Sequence, residues 1–100
     1  MNFNEKVWAL LKRIPKGKVS TYKLVAIAIG KPHAARAVGN ACNRNPGAPK
    51  VPCHRVVKSS GELGGYSKGV SKKTALLESE GVKINNGKVL DFSRKLFRFK

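Results

Sequence analysis

The chain has 100 residues, and its 21 Lys and Arg against 5 Asp and Glu give a formal net charge of +16. A chain this short holds one hydrophobic core and one domain, 1–100, and no apolar run approaches the roughly 20 residues of a membrane span. Such an excess of one sign argues against a surface built for solubility alone, which mixes both signs, and points to a polyanion, nucleic acid first.

Residues 3–14 predict an amphipathic helix. Phe3, Val7, Leu10, Leu11 and Ile14 recur at helical spacing, Trp8 reads as core, and Pro15 and Gly17 end the pattern. Ser20 or Thr21 is a helix cap, followed by a second helix through Leu24, Val25 and Ile27 to Gly30. Pro32 suits the first turn of a third helix running to about Asn43. Its apolar face carries Ala34, Ala35, Val38, Ala41 and Cys42, while His33, Arg36, Asn40 and Asn43 share the other. The short Gly30-Lys31-Pro32 connection makes the pair a helix-turn-helix, whose second helix presents polar side chains to DNA. Ala35, Ala37 and Gly39 are small enough for close approach to a duplex.

Residues 44–52 are too rich in Pro, Gly and Asn to continue the helix and form a loop that delivers Cys53. Arg55-Val56-Val57 is a short strand and Ser59-Ser60-Gly61 a turn. Residues 63–69 are a glycine-rich loop around Tyr66 and Ser67. Ser71 is a candidate cap for a last major helix that ends at Gly81, with Leu76 and Leu77 inward. Asn86-Gly87 between Ile84 and Val89 predicts a hairpin. The tail from Phe92 to Lys100 is basic and aromatic; it either packs back on the domain or trails along DNA. The fold class is thus mainly α with short β elements, a winged-helix-like helix-turn-helix DNA-binding domain.

The charge is unevenly placed. Between Glu5 and Glu62 there is no acidic residue, while 12 basic ones occur. Met1-Asn2-Phe3-Asn4-Glu5 lacks a secretory signal pattern, so a soluble protein of the cytoplasm, or of a eukaryotic nucleus, is expected. Cys42 and Cys53 are then free thiols. A zinc site from Cys42, Cys53, His33 and His54 fits no known ligand spacing, so no metal and no cofactor are expected.

The chemistry concentrates in Pro52-Cys53-His54-Arg55-Val56. A thiol is a weak nucleophile until it loses its proton, and an adjacent imidazole is a common means of taking it. A cysteine next to a histidine, after a basic helix-turn-helix, suggests a nucleophile presented to something held on DNA.

Six ordered motifs sharpen this reading. They are Val19-Ser20-Thr21-Tyr22, the run from Ala34 to Gly39, Arg44-Asn45-Pro46, the run from Val51 to Val57, Gly64-Gly65-Tyr66-Ser67, and the run from Leu76 to Gly81. From about Phe3 to Leu90 the chain resembles the C-terminal, active-site domain of the O6-alkylguanine-DNA alkyltransferases, the methylated-DNA–protein cysteine methyltransferases. The family's N-terminal domain is expected to be absent.

The resemblance implies a stoichiometric suicide reaction. Cys53 takes the alkyl group from O6 of guanine and is not regenerated. It also implies that His54 removes the thiol proton through a water and that Glu80 orients His54. Asn45 ties the helix-turn-helix to the cysteine loop. By the same resemblance Arg36 fills the stack when the lesion is flipped out, with a plain phosphate contact the alternative. Tyr22 crowds the neighbouring phosphate and donates to the guanine N3. Val56 and Cys53 offer backbone carbonyls to the guanine amino group, and Tyr66 and Ser67 close the pocket. Ala35, Gly39 and Asn40 are expected on the DNA side, in the minor groove; Lys73, also on the DNA side, matches a family lysine near the site, with a generic phosphate contact the equal alternative. The implied partner is double-stranded DNA containing O6-alkylguanine, bound by a monomer. A lesion-binding sensor of the alkyltransferase-like kind, which lacks the acceptor cysteine, is the alternative. A plain helix-turn-helix regulator would explain the charge but not the cysteine motif.

Overall fold

A computed structural model describes residues 1–99; Lys100, the last residue of the tail, lies outside the described residues. Helix α1 spans Phe3–Leu11. Asn2 accepts from the Glu5 amide at 2.8 Å while the Glu5 carboxylate accepts from the Asn2 amide at 3.0 Å, a closed capping box. The helix stops three residues short of the expected end. Arg13 and Ile14 donate to Leu10 and Leu11 in tighter turns, yet Ile14 is still buried.

Strand β1 is Ser20–Thr21 and runs directly into helix α2, Tyr22–Ile29. Thr21 caps it as expected, its Oγ1 accepting from the Leu24 amide at 3.0 Å. Gly30 closes it with φ of 90°, and Lys31 donates back to Ala26 at 2.9 Å. That closure uses Lys31 and leaves Pro32 in a turn, so helix α3 begins later than its proline suggested, at Ala35, and runs Ala35–Asn43. His33 therefore stands outside the helix instead of sharing a face with Arg36. The connection between α2 and α3 is correspondingly longer than the expected three residues.

A 3-10 turn, Cys53–Arg55, precedes strand β2, Val56–Val57. β2 pairs with β1 in parallel, Ser20 opposite Val56 and Thr21 opposite Val57. Helix α4 spans Val70–Ser79; Gly69 at φ 97° delivers the chain into it, and Ser71 lies inside the first turn, not at the cap. Strands β3 (Ile84–Asn85) and β4 (Lys88–Val89) form the expected hairpin, with Asn86 and Gly87 at φ 52° and 74°.

The tail packs back. After a short helix α5, Phe92–Lys95, Leu96 bridges Val19 in parallel, so the chain end lies along β1. The Val19 amide donates to Lys95 at 2.9 Å, the Phe97 amide to Val19 at 2.7 Å, and Ser20 Oγ to Phe97 at 3.0 Å. Phe97 and Phe99 pack against the main core, with Arg13 over the Phe99 ring.

That core gathers Val7, Leu11, Ile14, Val25, Val38, Ala41 and Val56, with Cys42 and Cys53 at its border. The Trp8 indole N–H donates to the Ala41 carbonyl at 2.9 Å, fixing α1 across α3. A smaller cluster of Val19, Val57, Leu63, Leu77, Val82 and Val89 lies under the hairpin. Among the described residues no helix is long and apolar enough to cross a membrane.

Candidate active site and DNA-facing cleft

Cys53 opens the 3-10 turn and is only 3% exposed. Asn45 sets the loop before it. Its Nδ2 donates to the Val51 carbonyl at 2.7 Å and its Oδ1 accepts from the Gly47 amide at 3.0 Å. The asparagine that ends the helix-turn-helix thus grips the strand of chain two residues before the thiol.

His54 is buried and its Nε2 lies 2.9 Å from Glu80 Oε2. A carboxylate accepts, so Nε2 carries the proton and Nδ1 keeps its lone pair. Among the described residues Nδ1 is buried with no partner, which leaves it the basic nitrogen of the ring. Burial holds the imidazole below its usual pKa, with Glu80 pulling the other way. The ring is therefore neutral and basic near pH 7.

Glu80 sits at the end of α4, where a carboxylate opposes the helix dipole. Arg55 supplies the reason for it. Its Nε donates to Oε1 at 2.9 Å and its Nη2 to Oε2 at 2.8 Å, a bidentate clamp. Nη1 donates to the Ile14 carbonyl at 2.8 Å, anchoring the clamp to the end of α1. Burial alone pushes the Glu80 carboxyl up, but the hydrogen bonds from Arg55 and His54 outweigh it and hold the group below the usual value. Arg55 was absent from the expected site residues. Its signal was available: a buried carboxylate at a helix C-terminus needs a cation.

Lys73 departs most from expectation. It is fully buried, so it makes no contact with an outer phosphate. Its Nζ donates to the carbonyls of Leu63 at 2.6 Å, Val56 at 2.7 Å and Gly65 at 3.1 Å, with Tyr22 Oη at 3.4 Å. One ammonium thus joins β2, the glycine-rich loop and the start of α2. Burial lowers its pKa to about 8, partly countered by the two cysteines. It also occupies one side of the Val56 carbonyl that was expected to face guanine.

Tyr66 stands edge-on to His54, ring centroids 6.4 Å apart, and its buried hydroxyl has no protein partner. Ser67 beside it is exposed. Burial raises the Tyr22 phenol well above its usual pKa, so it acts as a hydrogen-bond donor. Cys42 is buried on α3 and its thiol is pushed up to about 12, first by burial and then by Cys53. It is an unreactive core thiol.

Outside this centre lies an open cleft of about 600 Å³. Its wall from α3 carries Ala35, Arg36, Gly39, Asn40 and Asn43; its other side carries Tyr22, Lys58, Gly64 and Gly65. Among the described residues no carboxylate side chain lines it. Gly64 must be glycine: at φ 72° a Cβ there would meet Tyr22 Oη at 3.1 Å. Cys53 does not line the cleft; it lies in the core border that Tyr22 and Tyr66 also pack against. Of the predicted residues, Arg36, Ala35, Gly39, Asn40 and Tyr22 line the cleft, while Cys53, His54, Glu80, Asn45, Val56, Tyr66, Ser67 and Lys73 do not.

Known proteins are similar to this chain in sequence and in fold. A methylated-DNA–protein-cysteine methyltransferase of Methanosarcina barkeri is 52% identical over 79 residues, 79% of this chain and 50% of that protein. The chain spans about half the length of the curated relatives it matches. The crystal structure of Mycobacterium tuberculosis OGT in complex with DNA matches with a TM-score of 0.78 at 50% identity, covering 80% of this chain and 50% of that one. Schizosaccharomyces pombe Atl1, in complex with damaged DNA containing O6-carboxymethylguanine, matches with a TM-score of 0.86 at 35% identity, covering 97% and 95%. Residues 2–82 match the family 6-O-methylguanine DNA methyltransferase, DNA binding domain, and it is to this family that the chain belongs.

Proposed function

We propose that this domain repairs O6-alkylguanine in double-stranded DNA by moving the alkyl group to Cys53 in a single turnover. The observation that carries this reading is the buried Glu80–His54 pair, clamped by Arg55, in the turn that Cys53 opens. His54 Nδ1 takes the thiol proton through an intervening water. The thiolate Sγ then attacks the alkyl carbon; the S–C bond forms as the C–O6 bond breaks. The electron pair leaves on the guanine, and the Tyr22 hydroxyl donates to N3 to stabilise it. The new thioether has no base to release it, so the protein is spent.

A guanine stacked in a duplex is out of reach of a buried thiol, and flipping it out costs a few kcal/mol. Arg36 on the α3 wall is placed to fill the vacated step, while Tyr66 and Ser67 receive the base. Arg36→Ala is expected to slow transfer from duplex DNA by at least ~10-fold, since a few kcal/mol are at stake. Reaction with free O6-benzylguanine should be unchanged. Equal losses on both substrates would remove Arg36 from the flipping step.

Acid should stop the reaction by protonating His54. Because burial lowers its pKa, the rate should rise with pH through a midpoint below the usual imidazole value, then level off. A pH–rate profile with free O6-benzylguanine measures this, and a midpoint above that value contradicts a buried neutral base.

The near-complete likeness to Atl1 favours a second reading, a lesion sensor that binds without transfer. Intact mass after incubation with an O6-methylguanine duplex separates the two. A gain of one CH₂ mapped to Cys53, with loss of the lesion, supports transfer; tight binding without mass gain supports the sensor.

A further inference from the structure

The residues after 82 lie beyond the family match, yet they build part of a second cleft. It holds about 210 Å³ between α2, the turn after β2 and the returning tail. Lys23, Ser59 and Arg98 supply its polar groups, and Leu24, Ile27, Phe92 and Leu96 its apolar floor. The tail wall is rigidly placed. Leu96 is bridged to Val19, and the Phe97 carbonyl accepts from Ser20. Phe92 packs on Gly61, where a Cβ would meet its ring at 3.4 Å and φ is 90°.

Two segments contribute consecutive residues to the two clefts. Tyr22 lines the first and Lys23 the second; Lys58 lines the first and Ser59 the second. Among the described residues no carboxylate side chain lines either cleft, and neither Lys23 nor Arg98 forms an ion pair. Each cleft thus carries two cationic side chains, Arg36 and Lys58 in the first and Lys23 and Arg98 in the second. We propose that the C-terminal tail extends the DNA footprint, with Arg98, Lys23 and Ser59 gripping the phosphodiester backbone beyond the lesion. Sugar faces of the same strand rest on the apolar floor. This inference rests on duplex DNA occupying the first cleft.

The test compares duplexes of about one and about two helical turns, about 10 and about 20 base pairs, each carrying O6-methylguanine. Affinity is measured across a salt series for the wild-type chain and for Lys23→Ala/Arg98→Ala. The wild type should bind the longer duplex more tightly. The double variant should lose that gain, and its slope of log affinity against log salt should fall by about two. Lys23→Arg/Arg98→Lys should restore both. A wild-type slope in the alanine variant overturns the proposal, as does an equal loss on both duplexes, which would mark a general weakening or a cleft meant for another partner. Transfer to Cys53 from free O6-benzylguanine reports the first cleft's function separately. If the wild type transfers nothing but the slope still falls by two, the repair reading fails and the tail contact stands.

Discussion

Cys53→Ala is expected to abolish alkyl transfer completely while the protein stays folded and still binds O6-alkylguanine DNA. The substitution removes one sulfur from the border of the core and keeps the turn. The cost in stability should be at the low end for a small core deletion, about 1 kcal/mol. Nothing else in the site can replace the thiol. Cys42 is the second sulfur, but it is buried and its pKa of about 12 keeps it protonated. The measurement is intact mass and lesion loss for the variant beside the wild type, with affinity followed by fluorescence anisotropy. Persistent transfer would place the acceptor elsewhere and sink the mechanism. Lost binding together with lost transfer would mean that the thiol holds the site's shape rather than reacting.

Arg55→Met should have the largest effect on stability. It removes two of the three hydrogen bonds on the Glu80 carboxylate, leaving only that from His54, in a site only 9% exposed at its side chain. Breaking a buried pair on one side costs about 3–5 kcal/mol. The pH dependence carries a signature. Glu80 has a folded pKa below its unfolded one, so its contribution is present at neutral pH and fades as acid protonates it. The gap in melting temperature between wild type and variant should therefore be widest near pH 7 and narrow toward pH 4. A gap that is constant with pH would assign the loss to the hydrogen bond on the Ile14 carbonyl rather than to the clamp. Arg55→Met/Glu80→Leu should recover part of the stability and none of the transfer rate, because His54 then has nothing to fix its tautomer.

These sites were unequally legible. Both ends of α2 could be read because Thr21 and Gly30 each carry a local mechanism, a hydroxyl for a free amide and a left-handed closure. Asn86-Gly87 announced its hairpin for the same reason. The start of α3 could not be read from Pro32, because the closure at Gly30 competes for the same residues. The β1–β2 pairing and the Val19–Leu96 bridge join segments far apart in sequence through strands of two residues, too short for any alternation. The roles of Cys53, His54 and Glu80 came from motif likeness, and the structure brings His54 and Glu80 together. Lys73 was misplaced because lysine is so seldom buried. Only the convergence of three carbonyls from two segments, β2 and the glycine-rich loop, makes a buried ammonium tenable, and no local pattern encodes that.

Among the described residues both ion pairs end on Glu80, so nearly all of the positive charge is unanswered within the fold. Like charges crowded on a chain of 100 residues push the compact state toward unfolding. Added salt relieves that strain while it weakens the grip on phosphates. A conformationally comfortable molecule and an avid one thus require opposite ionic conditions. Under the proposed function a duplex resolves the conflict, because a polyanion that binds only the native form acts as its missing counter-charge and as a folding ligand. Such a partner would complete the domain electrically.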